Sequence, residues 1–542
     1  MKKHFLFSIL LGWVFTLPCN AAQEGRQIKD LTSSSWSITL DKTAKWQNDK
    51  LYLPPVNPEN LPINLPSGGW TLLDNPDTTG ITLPATVEGT LWGYNGQTFG
   101  VTGNYTGVSW FHTRTFIPQS WKGKRIVLQV GSVRFRAEIF INRELSGYDL
   151  VNSTPFDINI TPYVKYGKEN EIAFRITDPN GNFNWKDSQL YTWGNYFTNP
   201  SHGFGGITGK VTLIATDPLY ISDVFIKNKP QPHEIEVEIS LDNGYADVQK
   251  GKEIQLEIME HVSGKSIYKK EYSLPPLQTG SNTQTYHIAL PKAKLWSIDS
   301  PNLYDLKVTV GNDNRSQRFG FRWFEIKDIN GDKQFYLNGK RIVLRTAISW
   351  SFWPDNGIAP TDELARRQIE IAKKLGLNML NFHRTIGAPN VLDYADELGL
   401  LYFEEPGGNQ YSASRFNDGT EATAFYFGYR NEKLARMIKR DRNHPSLVIY
   451  NLHNERGAWP QRQDYDQMRM AHTIDPTRIL TYNSSNGENP LNEPNARFKL
   501  HLLPYDCVWG CLQARLSHVW TMNTREACVT RCRLVSATKP TV

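Results

Sequence analysis

Cysteine is missing from the body of this chain of 542 residues. One of its five cysteines lies at position 19 and four lie in the last 36 residues, so none falls between residues 23 and 506. Disulfides and zinc–thiolate sites therefore cannot organise residues 23–506. Folding there depends on apolar cores, and the length of the chain predicts several domains, about three or four.

An excess of charge is also missing from the body of the chain. The formal net charge of +6 comes from the first 22 residues and from residues 507–542, while residues 23–506 balance to zero. Binding to nucleic acid or to an anionic membrane surface would require a basic patch. We therefore predict no nucleic-acid partner.

Long apolar runs are rare as well. The run at residues 5–17 follows two lysines and precedes alanines at positions 21 and 22. This order is typical of a secretory signal, which we expect to end at residue 22. No other run approaches the length of a membrane-spanning helix. We predict an exported protein, periplasmic or extracellular. A lipid anchor at Cys19 is the alternative, which Pro18 disfavours because that processing site requires a small residue there.

Short runs of alternating apolar and polar residues occupy the first part of the chain. Turn residues such as Gly, Asn and Pro separate these runs, which is typical of all-β sandwiches. We predict two such domains, over residues 23–218 and 219–330. The predicted strands are 110–116, 125–130, 137–141, 171–175 and 210–214 in the first, and 235–239, 253–258 and 303–310 in the second.

Strands and helices alternate in the next part of the chain, residues 331–506. This alternation predicts parallel strands closing into a (β/α)₈ barrel, of which the sequence shows only a part. The predicted strands are 341–344, 378–381, 401–403, 447–450 and 479–482, with a sixth at 498–502; the predicted helices are 362–375, 391–398, 431–440 and 465–471.

Polar and aromatic residues follow these strands, and functional residues of a barrel lie at the carboxyl ends of its strands. Arg, Asn and His donors beside aromatic walls suit a neutral polyhydroxylated ring. Each residue also has a plainer interpretation, such as an ion pair for Arg345, a surface charge for Arg384 or core packing for Tyr482. The predicted substrate-binding residues are Arg345, Trp350, Asn381, His383, Arg384, Asn454 and Tyr482, and the predicted catalytic residue is Glu455.

One string of residues carries a specific resemblance. Residues 440–446 read RDRNHPS, and a hydrophobic strand then leads to Asn454 and Glu455. The string resembles the acid/base signature of glycoside hydrolase family 2, which holds β-galactosidases, β-glucuronidases and β-mannosidases. The resemblance implies a retaining β-glycoside hydrolase in which Glu455 is the general acid/base. It also implies that Asn454 hydrogen-bonds the sugar hydroxyl beside the reacting carbon.

The two predicted sandwiches share this resemblance. Residues 110–116, 121–125, 154–158 and 205–207 resemble landmarks of the family's sugar-binding-like jelly roll, and residues 295–304 resemble its immunoglobulin-like domain. The expected fold is therefore a jelly roll, then an immunoglobulin-like sandwich, then an incomplete (β/α)₈ barrel. An oligosaccharide or glycoside is the expected partner.

Three departures from the family pattern limit what the resemblance implies. Well-known galactosidases of the family have Arg in place of Asn381 and His in place of Arg384. The turn Pro406-Gly407-Gly408 replaces their metal ligands. No metal or other cofactor is therefore implied. The identity of the sugar stays open, with a β-galactoside as the default.

A second carboxylate is expected but not found in the sequence. The family's nucleophile is a Glu three βα units after the acid, which places it near residue ~550. We interpret residues 507–542 as an aberrant Cys-rich tail from a truncated, frameshifted or mis-assembled C-terminus, and we expect the chain to be unstable and inactive. The alternatives are a genuine module in which the four tail cysteines bind zinc or form disulfides, and a non-catalytic carbohydrate-binding protein with a decayed barrel.

Overall fold

The computed structural model describes residues 25–91, 105–179, 191–198, 203–349, 359–407, 420–454 and 462–483. Its first part is an antiparallel two-sheet sandwich, the N-terminal sandwich (residues 25–216). Its strands are β1 (Gln27–Asp30), β2 (Trp36–Asp41), β3 (Thr78–Ile81), β4 (Ala85–Thr86), β5 (Gly107–Ile117), β6 (Arg125–Val130), β7 (Val133–Arg134), β8 (Arg136–Ile141), β9 (Glu144–Asp149), β10 (Phe156–Asn159), β11 (Lys168–Asp178), β12 (Tyr191–Trp193), β13 (Tyr196–Thr198), β14 (Gly206–Ile207) and β15 (Val211–Thr216). Helical segments are α1 (Val87–Leu91) and 3₁₀ turns at Pro58–Asn60, Trp70–Asp74, Gln119–Trp121 and Thr161–Tyr163.

Alternation along these strands builds the core of the N-terminal sandwich. The larger sheet has the order β3-β2-β5-β11-β8-β9, and a four-stranded sheet has the order β1-β15-β6-β10. Alternate side chains of each strand point between the sheets, as the period of two requires. Phe111, Leu128, Phe174 and Leu213 are fully buried there in one apolar cluster.

A second sandwich follows, the immunoglobulin-like sandwich (residues 219–322). Its strands form one sheet of three (β16-β17-β20) and one of four (β19-β18-β21-β22), all antiparallel. Ile239, Leu256 and Val308 are fully buried between them. The strands are β16 (Leu219–Asn228), β17 (Glu234–Asn243), β18 (Glu253–Glu260), β19 (Ser266–Ser273), β20 (Gly280–Ala289), β21 (Tyr304–Val310) and β22 (Asp313–Phe319).

An antiparallel meander joins this sandwich to the barrel, and it corrects one prediction. Its strands are β23 (Phe324–Ile329), β24 (Asp332–Leu337) and β25 (Lys340–Ile342). The prediction that residues 341–344 form the first barrel strand is wrong, because β25 pairs antiparallel with β24. Asn338 and Gly339 form the two-residue turn between them, both with positive φ (52° and 75°). Such Asn-Gly turns strongly favour hairpins.

The barrel region is a sheet of parallel strands with helices between them. The described strands have the order β26-β27-β28-β29-β30, which is also their order along the chain. The elements are β26 (Thr346–Ser349), α2 (Asp362–Lys374), β27 (Met379–Phe382), α3 (Pro389–Leu398), β28 (Leu401–Glu404), α4 (Glu421–Asp441), β29 (Leu447–His453), α5 (Arg462–Ile474) and β30 (Ile479–Asn483). The predicted fold class, jelly roll, immunoglobulin-like sandwich and incomplete barrel, is confirmed. The strand predicted at residues 498–502 lies outside the described residues.

Local sequence explains where the barrel helices begin and end. The Thr361 side chain accepts a hydrogen bond from the backbone N–H of Leu364 and caps α2. Pro389 opens α3, where its missing N–H costs nothing. Gly399 closes that helix with φ 75°, and a Cβ there would lie 2.4 Å from the Ile298 carbonyl oxygen. None of the described helices is long and apolar enough to cross a membrane.

Helix α4 begins ten residues before its predicted start at residue 431, because tertiary contacts extend it. Its first turns carry Phe425 and Tyr429, which pack with Phe135 and Trp193 of the N-terminal sandwich in one buried cluster. The Tyr429 hydroxyl donates to Asn152 Oδ1 at 2.6 Å. The N-terminal sandwich is thus docked along α4, which stands beside the strand that ends at Asn454.

Candidate active site

Alternation along the barrel strands divides their side chains between two environments. Met379, Leu401 and Ile449 lie in the cluster inside the barrel. Leu380, Tyr402 and Tyr450 lie in the cluster between sheet and helices. Counting every second residue along the strands leads from the side chains inside the barrel to polar residues at the carboxyl ends of the strands. We call this end of the barrel the mouth. The polar residues there are Asn381, Glu405, Asn451 and Thr481, all of them buried.

A chain of hydrogen bonds joins these residues across four neighbouring strands. Glu405, which follows β28, accepts from the backbone N–H of Arg384 at 2.8 Å and from Asn451 Nδ2 at 3.1 Å. Asn451 Oδ1 in turn accepts from the Thr481 hydroxyl at 2.7 Å. Both of these contacts of the Glu405 carboxyl group are accepted hydrogen bonds, one on each oxygen. The network fixes the relative positions of β27, β28, β29 and β30 at the mouth.

Glu404 lies behind the mouth, on the helix side of β28. Its Oε1 accepts from the backbone N–H of Gly387 at 3.0 Å and from Arg440 Nη2 at 3.4 Å. Burial raises the pKa of Glu404 well above its usual value, and the neighbouring Asp441 carboxylate raises it further. Arg440 instead makes a bidentate contact with Asp441, at 2.7 and 2.8 Å. The raised pKa favours the protonated form of Glu404, which suits a structural role on the helix side of β28.

Strand β29 ends in three polar residues. Asn451, His453 and Asn454 are all buried. The His453 ring contacts Arg430 Nη2 at 2.9 Å and Asp464 Oδ1 at 3.1 Å. These contacts hold the end of β29 against α4 and α5, so Asn454 emerges from a fixed strand.

The structure places the predicted site residues in different ways. Asn381, His383, Arg384 and Asn454 all lie buried at the mouth, and Asn381 Oδ1 has no hydrogen-bond partner among the described residues. Arg384 has φ 57°, and this backbone conformation lets its N–H reach Glu405. Its burial also excludes the alternative of a simple surface charge.

Arg345 is not at the mouth, so the prediction that it follows the first barrel strand is wrong. The strand begins after it, at Thr346. Its Nε donates to the Gly376 carbonyl oxygen at 2.6 Å, and Gly376 precedes β27. Arg345 therefore lies at the amino ends of the strands, opposite the mouth.

Three predicted residues cannot be placed. Trp350 and Glu455 lie outside the described residues, as does the side chain of Tyr482, whose backbone lies in β30. Their predicted roles stay predictions.

The prediction missed Glu405, Asn451 and Thr481 as the residues that organise the mouth. Counting by twos along each strand from a buried apolar residue would have found Asn451 and Thr481. Within the described ranges, no group of three or more His, Cys, Asp or Glu side chains is arranged to hold a metal ion. The absence of a cofactor stays a prediction.

Comparison with known proteins agrees with this architecture. "Glycosyl hydrolases family 2, sugar binding domain" matches residues 29–216, and "Glycosyl hydrolases family 2" matches residues 219–322. The description "Glycosyl hydrolases family 2, TIM barrel domain" matches residues 326–500. The chain belongs to glycoside hydrolase family 2.

The names of relatives in family 2 refer to different substrates. A β-galactosidase of Thermoanaerobacter pseudethanolicus is 29% identical over 69% of this chain and 48% of its own length. A β-glucuronidase of Bacteroides fragilis is 24% identical over 77% of this chain and 59% of its own length. This family 2 chain spans about half the length of the curated relatives it matches.

Solved structures of family 2 enzymes share the fold. A β-glucuronidase of Bacteroides uniformis covers 85% of this chain and 53% of its own with a TM-score of 0.64 at 22% identity. A β-galacturonidase of Eisenbergiella tayi, bound to galacturonate, covers 84% of this chain and 71% of its own with a TM-score of 0.64 at 18% identity. At such identities the likeness extends to the fold alone.

Proposed function

We propose that this family 2 protein is a retaining β-glycosidase that releases a non-reducing-end β-linked sugar, with a β-galactoside as the default substrate and Glu455 as the general acid/base. One observation carries the proposal: buried Asn454 directly follows β29 and directly precedes Glu455 in the chain, beside the Glu405–Asn451–Thr481 network at the mouth. Barrel enzymes hold their reacting groups at this end of the strands. The relatives named β-galactosidase and β-glucuronidase support the same reaction class.

The described residues suit the first step of such a reaction. A glycosidase acid gives its proton to the departing sugar oxygen as positive charge develops at the reacting carbon. Hydrogen bonds to the sugar hydroxyl beside that carbon strengthen at the same time, and the Asn454 amide supplies both donors and an acceptor. Asn381 Oδ1 adds an acceptor for a further hydroxyl. A retaining reaction also requires a carboxylate nucleophile, to which the described residues assign no side chain.

The test is hydrolysis of a panel of aryl β-galactoside, β-glucuronide and β-mannoside. Because the sequence predicts that this chain is inactive without a nucleophile, the panel is applied both to the 542-residue chain and to a form of the barrel that carries the nucleophile Glu. We expect turnover of one member by the second form only, with the first product released as the β-anomer in proton NMR. The variant Glu455→Gln should lower kcat by about 10²–10⁴-fold, the usual contribution of acid–base catalysis. The matched control Glu370→Gln removes a half-exposed carboxylate paired with Arg366 on α2 and should retain full activity.

Two results would overturn the proposal. One is strong turnover that Glu455→Gln does not reduce. The other is sugar binding without turnover that survives deletion of residues 331–542, which would favour a non-catalytic carbohydrate-binding protein.

We also propose that the protein is exported, on the strength of the secretory-type residues 1–22. N-terminal sequencing of the expressed protein should find a chain that begins close to residue 23 in the periplasmic or external fraction. A cytoplasmic chain that retains Met1 would contradict export.

A further inference from the structure

The turn at residues 443–446 lies at the opposite end of β29 from Asn454. Seven strand residues separate them, which is roughly 20 Å of extended chain. Asn443 meets the edge strand β16 of the immunoglobulin-like sandwich through both ends of its amide. Its Nδ2 donates to the Val224 carbonyl oxygen at 2.9 Å, and its Oδ1 accepts from the Ile226 N–H at 2.9 Å. The side chain thus pairs with β16 as the backbone of a neighbouring strand would.

Arg322 makes the second contact between the immunoglobulin-like sandwich and the start of β29. Its Nε donates to the Pro445 carbonyl oxygen at 3.1 Å and its Nη2 to the Leu447 carbonyl oxygen at 2.9 Å. The side chain is fully buried. Burial, and then the neighbouring Arg478, lower the pKa of Arg322 to about 9. Burial of a guanidinium costs free energy, and the hydrogen bonds to the two carbonyl groups offset part of that cost.

Gly320 brings the two domains close enough for these bonds. A Cβ at this position would lie 2.8 Å from the Trp296 Cβ and 3.1 Å from the Pro445 Cβ. A side chain there would push the sandwich away from the turn, so the contact depends on glycine.

The barrel contributes its own arginine to the same carbonyl groups. Arg478, at the start of β30, donates to the Leu447 oxygen at 3.2 Å and to the His444 oxygen at 2.9 Å. Two arginines from different domains therefore converge on the Leu447 carbonyl, which is buried and requires partners.

We propose that the immunoglobulin-like sandwich positions the acid/base strand of the barrel, with Asn443 and Arg322 as the positioning residues. They fix the start of β29. Because the strand is rigid, they also fix the position of Asn454, which directly precedes Glu455 in the chain. The catalytic meaning of this position rests on the proposed function. A displacement of about 1 Å in a reacting group can cost roughly 100-fold in rate.

Hydrogen–deuterium exchange of the full chain tests the positioning without any need for activity. The variants are Asn443→Ala and Arg322→Met, and the matched control is Arg318→Gln. Arg318 also joins the immunoglobulin-like sandwich to the barrel, through Asp393 and Glu397 of α3, but it does not contact β29. Its Nη2 lies 3.8 Å from Asp396 Oδ2, and in the variant Asp396 keeps its shorter contacts with His444 and with the Ser446 N–H.

We expect amides of Leu447–His453 to exchange roughly tenfold faster in Asn443→Ala, which loses two buried hydrogen bonds. The core strands of the N-terminal sandwich should stay protected, and Arg318→Gln should leave β29 unchanged. Unchanged β29 exchange in Asn443→Ala, or an equal increase in Arg318→Gln, would overturn the proposal. Asn443→Ala decides the question even where Arg322→Met fails to fold.

Leaving-group dependence tests the consequence for the acid. A displaced acid slows a phenyl glycoside, which requires protonation, more than a dinitrophenyl glycoside, which does not. The measured quantity is kcat for the phenyl glycoside divided by kcat for the dinitrophenyl glycoside. We expect this ratio to fall at least about tenfold in Asn443→Ala relative to wild type, and not in Arg318→Gln. A simple loss of folded protein lowers both rates equally, and an unchanged ratio would overturn the positioning role. Absence of turnover by the form that carries the nucleophile refutes the proposed function, while the exchange experiment on the 542-residue chain still decides the position of β29.

Discussion

The two ends of strand β29 are both buried and both polar, yet they serve different purposes. At the start, the turn of residues 443–446 is bonded to another domain by Asn443 and Arg322. At the mouth, Asn451 is bonded within the barrel to Glu405 and Thr481. The family signature therefore joins a docking segment to an active-site segment. Recognising the whole string in a sequence does not show which part performs chemistry.

Buried polar atoms without a hydrogen-bond partner among the described residues occur at both ends. They are Asn381 Oδ1 at the mouth, and Arg322 Nη1 and Ser446 Oγ at the start of β29. Each costs stability, so this feature alone does not separate the two ends. The partners do, because the start of β29 is bonded to another domain and the mouth is bonded within the barrel. We therefore expect substitutions at the mouth to affect the reaction more than stability, and substitutions at the start of β29 to do the reverse.

Among substitutions of the described residues, Asn454→Ala should give the largest effect on the reaction. Loss of the amide removes bonds that strengthen as the transition state develops, so kcat/KM should fall about 10²–10³-fold, a cost of several kcal/mol. The measurement is steady-state kinetics on an aryl glycoside and on its 2-deoxy analogue. The 2-deoxy substrate lacks the hydroxyl in question and should lose less than about tenfold. Equal losses on both substrates would show that Asn454 does not contact this hydroxyl.

Glu405→Gln should damage both activity and stability at the mouth. The two oxygens of Glu405 each accept a bond, from Arg384 N–H and from Asn451 Nδ2. A glutamine offers one acceptor and one NH₂, which would face another donor. Loss of one buried bond should lower the free energy of unfolding by about 1–3 kcal/mol, measured by urea denaturation. An unchanged stability would mean that the network adapts by rotating Asn451.

His444→Asn tests the start of β29 through pH. Burial lowers the pKa of His444, but the Asp396 carboxylate, whose Oδ2 lies 2.6 Å from Nδ1, outweighs it and raises the pKa above 6.5. The folded state thus binds this proton more tightly than the unfolded state. The stabilisation is complete below pH 6.5 and is lost as pH rises through the folded pKa.

The variant should accordingly lose roughly 1.5–3 kcal/mol at pH 5.5, the range for a hydrogen bond to a charged group. The loss should shrink at pH 9, because the wild-type histidine releases its proton as pH rises through the folded pKa. Urea denaturation at the two pH values measures this. A loss that grows with pH would show that His444 is neutral when folded.

Much of this fold could be predicted from the sequence, because its patterns are local. Alternation placed the strands of both sandwiches, and the signature with its hydrophobic strand placed β29. The early start of α4 could not be predicted, since Phe425 and Tyr429 are helical only because they pack on the N-terminal sandwich. The error at Arg345 was avoidable, because Asn338-Gly339 is a hairpin signal that shifts the first barrel strand forward.

The site was harder to predict than the fold. A strand end identifies candidates, but which side chain faces the barrel interior depends on register. Glu404 and Glu405 show this limit. Both follow the same apolar run, and only their alternation assigns Glu404 to the helix side and Glu405 to the mouth.

Glu404→Gln should give the smallest effect. It should raise the free energy of unfolding at high pH, whereas Glu405→Gln should lower the free energy of unfolding. Burial, and then Asp441, raise the pKa of Glu404 in the folded state and so favour its protonated form. The unfolded chain releases that proton above pH 4.5, the usual pKa of the group. Folding therefore takes up a proton, and this contribution to stability becomes less favourable as pH rises from 4.5 towards the folded pKa.

A glutamine keeps an acceptor for the Gly387 N–H and offers its NH₂ to Asp441 without needing a proton. We expect the variant to match wild type near pH 5 and to be more stable at pH 8.5, in urea denaturation at both values. Reduced stability at pH 8.5 would mean that Glu404 is ionised and paired with Arg440. The helix side of β28 would then be held by an ion pair, in contrast to the mouth, where Glu405 accepts from a backbone N–H and an amide.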